Sequence, residues 1–143
     1  MDQKKIFLKS EGDNWFLRNK KKPNYSNEPV ILELKKIFQS KKFDKKKINL
    51  LEIGCSDGSK LKYIKKKFKC NVFGVEPSKK ATLRGLKDKI YIENTTADKT
   101  SFKNQYFDIV IFGFFLYLTD RKFLNKIFNE TDRILKKKGW LII

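Results

Sequence analysis

The chain has 143 residues, 40% of them hydrophobic, which is enough for one buried core and too few for two domains of ordinary size. It carries 34 basic and 16 acidic residues for a net charge of +18, with no histidine and only two cysteines, Cys55 and Cys70. The lack of histidine excludes a histidine general base and a Ser-His-Asp triad, and two thiols alone do not make a structural zinc site.

No metal site is expected, and both thiols are expected to be reduced. The longest apolar run, Ile109 to Leu118, is about half the ~20 residues needed to cross a bilayer. The opening Met1-Asp2-Gln3-Lys4-Lys5 lacks the apolar core and cleavage site of a signal peptide. A cytoplasmic protein without a membrane span is therefore expected.

The charge raises nucleic acid as a partner. Only four basic residues are arginines, however (Arg18, Arg84, Arg121 and Arg133), whereas surfaces that read bases favour arginine. The lysines are spread along the chain at Lys20–Lys22, Lys45–Lys47, Lys65–Lys67 and Lys136–Lys138. Compositional bias explains them better than a nucleic-acid surface, though the net charge favours anionic substrates at long range.

In chain order, a short amphipathic stretch runs through Ile6, Phe7, Trp15, Phe16 and Leu17, and Asn24 to Pro29 is a break. Val30, Ile31, Leu34, Ile37 and Phe38 recur at helical spacing, so 29–40 reads as a helix. Residues 41–47 form a charged connector. Strand–helix alternation follows: strand 48–53, helix 59–68, strand 71–75, helix 78–86, strand 90–92, strand 107–112 and helix 120–135. The last helix places Phe123, Leu124, Ile127, Phe128, Ile134 and Leu135 on one face. Lys136–Gly139 reads as a turn and Trp140–Ile143 as a fifth strand. This order implies βαβ units and a mostly parallel sheet sandwiched by helices. An apolar strand at the chain end leaves a sheet edge that proteins normally cover, so a core truncated at its C-terminus is expected.

Three segments carry chemistry. In Glu52-Ile53-Gly54-Cys55-Ser56-Asp57-Gly58, Gly54 and Gly58 allow a tight strand-to-helix turn and close backbone approach to a ligand. Ser56 and Ser59 stand where a dinucleotide fingerprint requires glycine, and Glu52 would face a cationic group. Glu76-Pro77 ends the second strand, with Glu76 22 residues after Gly54. An acid about 20 residues on bonds ribose hydroxyls in nucleotide-binding α/β folds. Thr95-Thr96-Ala97-Asp98 follows the third strand, on the sheet edge where such folds bind ligands.

Taken together, residues 48–143 resemble the class I S-adenosylmethionine-dependent methyltransferases. LLEIGCSDG matches the glycine-rich first motif, VFGVEPS the second-strand acid and TADKTSF the adenine-side loop. FDIVIFGFFLYLTD matches the fourth strand, and ILKKKGWLII the helix leading to the fifth. Ser56 departs from a common glycine. The resemblance implies a Rossmann-like α/β fold with S-adenosyl-L-methionine as cofactor. The cofactor contacts it implies are Glu52, Gly54, Cys55, Ser56, Gly58, Glu76, Pro77, Thr96, Ala97, Asp98 and Phe112.

Lys9 to Lys20 also resembles the leader of bacterial methyltransferases of surface-sugar and small-metabolite pathways. That implies an N-terminal helix over the cofactor, with Trp15, Arg18 and Asn19 as lid residues. Residues 1–44 are accordingly expected to be a helical extension and 45–143 the methyltransferase core. The expected reaction is methyl transfer to a small molecule, a sugar or sugar nucleotide among the candidates. An RNA methyltransferase and a non-catalytic cofactor-binding remnant are the alternatives. No catalytic residue is assigned: Tyr117 and Asp120 lie near the end of the fourth strand, but each has a structural role open to it, as core packing and as helix N-cap.

Overall fold

In the computed structural model the described residues are 3–19, 23–40 and 47–143. The lysines at 20–22 and the connector at 41–46 lie outside them. Five strands form one sheet: β1 (Asn49–Ile53), β2 (Asn71–Val75), β3 (Tyr91–Glu93), β4 (Phe107–Phe112) and β5 (Leu135–Ile142). Their order is β3-β2-β1-β4-β5, and every pair is parallel. All the carboxyl ends therefore emerge on one edge. The chain reverses its direction of travel across the sheet between β1 and β4, the switch point where open α/β sheets hold ligands.

The helices are α1 (Gln3–Ile6), α2 (Gly12–Arg18), α3 (Pro29–Gln39), α4 (Ser59–Phe68), α5 (Lys79–Lys87) and α6 (Leu124–Ile134). A π-helical turn, Phe7–Glu11, joins α1 to α2. Pro29 opens α3, where its missing N–H costs nothing. Ile31, Leu34, Ile37 and Phe38 form the buried stripe of α3, and Leu61, Ile64 and Phe68 that of α4. The two helices pack on one face of the sheet, with Phe38 and Phe68 stacked at 4.7 Å.

Neighbouring residues of β1 point to opposite sides. Leu50 joins the α3–α4 core, and Leu51 and Ile53 join the core on the other face with Ile127 and Ile134 of α6. A strand buried on both faces reads as the continuous apolar run seen in the sequence.

Two expectations are corrected. Lys136–Gly139 is not a turn but part of β5. Phe107 pairs with Leu135 and Ile109 with Trp140, so a bulge absorbs the extra residues. Lys136 Nζ meets Asp108 Oδ1 across the strands at 2.7 Å and holds the bulge in place. The expected helix from Asp120 begins instead as a 3-10 turn, Arg121–Phe123, before α6. On α6 Phe128 is 39% exposed, while Thr131 is buried. Thr131 tolerates the core because its Oγ1 donates to the Ile127 carbonyl at 2.8 Å. No helix among the described residues is long and apolar enough to cross a membrane.

Candidate functional site

The carboxyl ends of β1 to β4 and the N-terminal helices enclose a cavity of about 900 Å³. Its floor is the loop after β1. Gly54 has φ +76°, and its N–H and that of Cys55 both donate to the Val75 carbonyl, at 2.8 and 3.2 Å. A Cβ on Gly54 would lie 3.1 Å from Phe115 Cβ and 3.2 Å from the Gly113 carbonyl oxygen, so the loop presses on the end of β4. Asp57 Oδ1 accepts from the Ser59 N–H at 3.0 Å and from Ser59 Oγ at 2.6 Å, which satisfies the first free amide of α4. Ser56 stands at φ +52°, a conformation that favours glycine, and is held there by its neighbour across the loop.

That neighbour is Glu76. Its Oε2 accepts from the Ser56 N–H and its Oε1 from the Ser78 N–H, both at 2.9 Å. The carboxyl is nearly buried, and burial raises its pKa against the lowering effect of those two amides. Each oxygen keeps a further acceptor site.

Glu52 is only 1% exposed. Its Oε1 lies 3.0 Å from Lys60 Nζ, while Oε2 is buried without a hydrogen-bond partner. Lys60 Nζ is also 3.3 Å from Glu28 Oε2, close enough for an ion pair but off line for a hydrogen bond. Burial raises the Glu52 pKa, and Lys60 offsets this only in part. Burial would lower Lys60, but Glu52 and Glu28 more than reverse it and keep the ammonium charged. Tyr25 lines the same corner, its phenol raised by burial and by Asp57 and Glu28.

The N-terminal helices form the roof, with Trp15, Arg18 and Asn19 all in the lining. Two polar clasps hold them. Lys4 Nζ donates to both oxygens of Asp98, at 2.8 and 2.7 Å. Burial would raise the Asp98 carboxyl, but Lys4 and Thr96 hold it below its ordinary value. Asp13 Oδ1 accepts from Ser78 Oγ and from the Lys80 N–H. Arg18 pairs with Glu11 at the exposed rim.

Of the residues singled out in the sequence, Glu52, Gly54, Cys55, Ser56, Glu76, Pro77, Thr96, Ala97 and Asp98 converge on the cavity. Gly58 and Phe112 are not in its lining. Gly58, at φ +71°, shapes the turn, and a Cβ there would meet Ile90 and Ile92. Phe112 is buried behind the wall against Phe115, ring centroids 5.2 Å apart. Asp120 lines the cavity, whereas Tyr117 is 68% exposed and does not. The Cys55 thiol is buried and pushed well above its ordinary pKa, so it is not a nucleophile.

Sequence reasoning missed Glu28, Tyr25, Lys60, Lys4 and Asp13. Lys60 alone left a signal, because a cation in the first turn of a helix opposes the helix dipole and requires a partner. The charge of the cavity also inverts that of the chain. Among the described residues Glu28, Glu52, Asp57, Glu76, Asp98 and Asp120 line it with Lys4, Arg18, Lys60 and Arg84, a net −2. No group of three or more metal-ligating side chains occurs among the described residues.

This arrangement is an α/β domain with a cavity at the topological switch of its sheet. Residues 51–143 match the family described as methyltransferase domain, and the chain belongs to that family. A Haemophilus influenzae protein of no stated activity is 31% identical over 101 residues, covering 65% of this chain and 40% of that one. A SAM-dependent methyltransferase from Archaeoglobus fulgidus superposes with TM-score 0.62 at 19% identity, covering 78% of this chain and 49% of that one. Geranyl diphosphate C-methyltransferase from Streptomyces coelicolor, solved with Mg2+, geranyl diphosphate and S-adenosyl-L-homocysteine, superposes with TM-score 0.58 at 20% identity. That match covers 65% of this chain and 37% of the other. The chain spans less than half the length of each of these relatives.

Proposed function

We propose that this chain binds S-adenosylmethionine in the cavity and serves methyl transfer to a small-molecule acceptor. The observation that carries the reading is Glu52 Oε2, a buried carboxylate oxygen with no donor of its own in the wall of a large cavity. Such an oxygen requires a donor, and the α-ammonium of the cofactor's methionyl end is one. The residues present fit the rest of the cofactor. The open acceptor sites on Glu76 suit ribose hydroxyls, and Thr96, Ala97 and Asp98 border the adenine side. Gly54, Cys55, Ser56 and Pro77 let the backbone come close. Gly58 and Phe112 support that wall from behind. The relative solved with S-adenosyl-L-homocysteine, the product of such a transfer, supports the choice of cofactor.

S-adenosylmethionine supplies a methyl group already activated on a sulfonium, so the protein's main task is positioning. Glu52 holds the methionyl end of the ligand and Glu76 its ribose, and Trp15, Arg18 and Asn19 roof the cavity.

The roof also favours a small acceptor over a polymer. A pocket of about 900 Å³ lies within the range that holds small ligands, and the clasps of α1 and α2 cover it. A sugar fits this reading; the diphosphate of a sugar nucleotide, or an RNA backbone, meets an excess of carboxylates. Incubation with methyl-labelled S-adenosylmethionine and a cell extract tests it. Label is expected in the small-molecule fraction; label recovered only in RNA or protein would overturn the choice of acceptor. Cofactor binding without any labelled product would favour a non-catalytic binding domain.

A further inference from the structure

Among the described residues, three buried side-chain oxygens lack a hydrogen-bond partner: Glu28 Oε2, Glu52 Oε2 and Asp120 Oδ2. All three belong to the wall of the one large cavity. The two glutamates share Lys60. Asp120 has no such cation: among the described residues no hydrogen bond or ion pair reaches its carboxylate. Two ammonium groups lie by the Phe123 ring, Lys4 Nζ at 4.9 Å and Lys122 Nζ at 5.1 Å from its centre, and Lys4 is engaged by both oxygens of Asp98.

Asp120 lies on the connector between β4 and α6, while Glu76 ends β2, on the other side of β1. The carboxylate thus lies across β1 from the Glu76 contact with ribose, and Lys4 links the neighbouring Phe123 to Asp98. Its backbone is fixed, because its carbonyl accepts from the Phe123 N–H at 2.9 Å. The surrounding wall is Leu118, Thr119, Phe123 and Ile127. An unpartnered carboxylate oxygen in such a wall is costly unless a donor arrives, and a charged donor satisfies it best. The charge balance agrees. Carboxylates outnumber cations six to four in the described lining, which favours a cationic acceptor over an anionic one.

We infer that Asp120 is the acceptor-binding carboxylate and that the acceptor is a small amine, bound as its ammonium with its carbon frame against Leu118 and Ile127; the ammonium gives one proton to Asp120, the freed lone pair takes the methyl group, and the sulfonium leaves as the neutral thioether. This rests on the cofactor reading above and extends it to the acceptor. Neutral alcohols supply a hydrogen bond to Asp120 but no charge, and carboxylates and phosphates are repelled.

The probes are benzylammonium, benzyl alcohol and benzoate, which differ in charge on one frame. Each is titrated into the full chain saturated with S-adenosyl-L-homocysteine, which covers Glu52. Benzylammonium is expected to bind at least about tenfold more tightly than benzoate or the alcohol. Asp120→Asn should bring the three within about threefold of one another and leave S-adenosyl-L-homocysteine affinity unchanged, which shows that the variant is folded. Asp120→Glu should keep the ranking. Equal or reversed ranking, undetectable benzylammonium binding, or a ranking that survives Asp120→Asn would overturn the proposal. Failure of S-adenosyl-L-homocysteine to bind would overturn the cofactor reading instead, with the three probes still ranked on the unliganded chain.

Discussion

The carboxylate of Asp13, on α2, accepts a 2.6 Å hydrogen bond from the hydroxyl of Ser78, at the start of α5. Ser78 Oγ in turn accepts from the Ala81 N–H at 3.1 Å, and Asp13 accepts from the Lys80 N–H at 3.0 Å. One side chain from the N-terminal segment thus completes the cap of a helix in the sheet domain. The roof of the cavity and the turn that carries Glu76 are therefore mechanically joined.

Asp13→Ala should break that joint. The loss of two hydrogen bonds is expected to cost about 1–2 kcal/mol in chemical denaturation, and proteolysis within residues 3–19 should accelerate. Asp13→Asn, which keeps an acceptor oxygen, should fall between. The Ser78 hydroxyl, with the Lys80 amide, holds the Asp13 carboxyl below its ordinary 3.8. The clasp is complete above that pH and weakens as pH falls through the lower folded value. A variant with unchanged proteolysis would show that the roof does not depend on this contact.

Ser56 occupies a left-handed conformation at φ +52°. Ser56→Gly relieves that strain, partly offset by the greater freedom of glycine in the unfolded chain. A net gain of about 0.5 kcal/mol, or roughly 1–3 °C in Tm, is expected by calorimetry. The Ser56 N–H to Glu76 bond is retained, so cofactor affinity should not fall. A loss of stability would mean that the serine side chain makes a contact of its own.

Glu76 has two separable jobs. Without cofactor, Glu76→Ala frees the Ser56 and Ser78 amides and should destabilise by about 1–3 kcal/mol. With cofactor, it should also lower affinity at least about tenfold through the lost ribose contacts. Glu76→Gln restores only part of each. Denaturation midpoints with and without S-adenosylmethionine separate the two effects: an equal shift in both conditions would remove the ribose role.

On the far side of the sheet, Glu130 is held by Arg133 through two hydrogen bonds at 2.8 and 2.7 Å, and by the Thr100 N–H and hydroxyl. The Arg133 guanidinium and Thr100 lower its pKa from 4.5 to about 2. A depressed carboxylate stabilises the fold above its ordinary pKa, and that contribution is lost as pH falls from about 4.5 to about 2. Arg133 is one-third exposed, so the contribution is discounted to about 1 kcal/mol. Glu130→Gln should flatten the acid limb of the stability profile in this window; an unchanged slope would contradict the assignment.

The sheet was legible because its signals are local. The runs at 49–53, 71–75 and 107–112 are buried on both faces, and Ser78 announces α5. That Glu52, Gly54 and Glu76 would come together was legible because parallel strands bring their ends to one edge. What escaped depends on distant pairing. Glu28 reaches Lys60, Asp13 reaches Ser78 and Lys4 reaches Asp98 across separations that no periodicity encodes. The bulge in β5 was read as a turn because its lysines and glycine look like one; the pairing of Leu135 and Trp140 with β4 keeps them in the sheet, with Lys136 tied to Asp108. The +18 charge pointed toward anionic ligands, yet the lysines lie mostly outside the cavity and its own balance is negative.

Calorimetric titration of S-adenosylmethionine into the chain, with Glu52→Gln in parallel, tests the central claim most directly. Saturable one-to-one binding is expected, weakened at least about tenfold in Glu52→Gln, where the oxygen facing the α-ammonium loses its charge. A folded chain that takes up no S-adenosylmethionine, or a Glu52→Gln variant that binds it as tightly, would contradict the account.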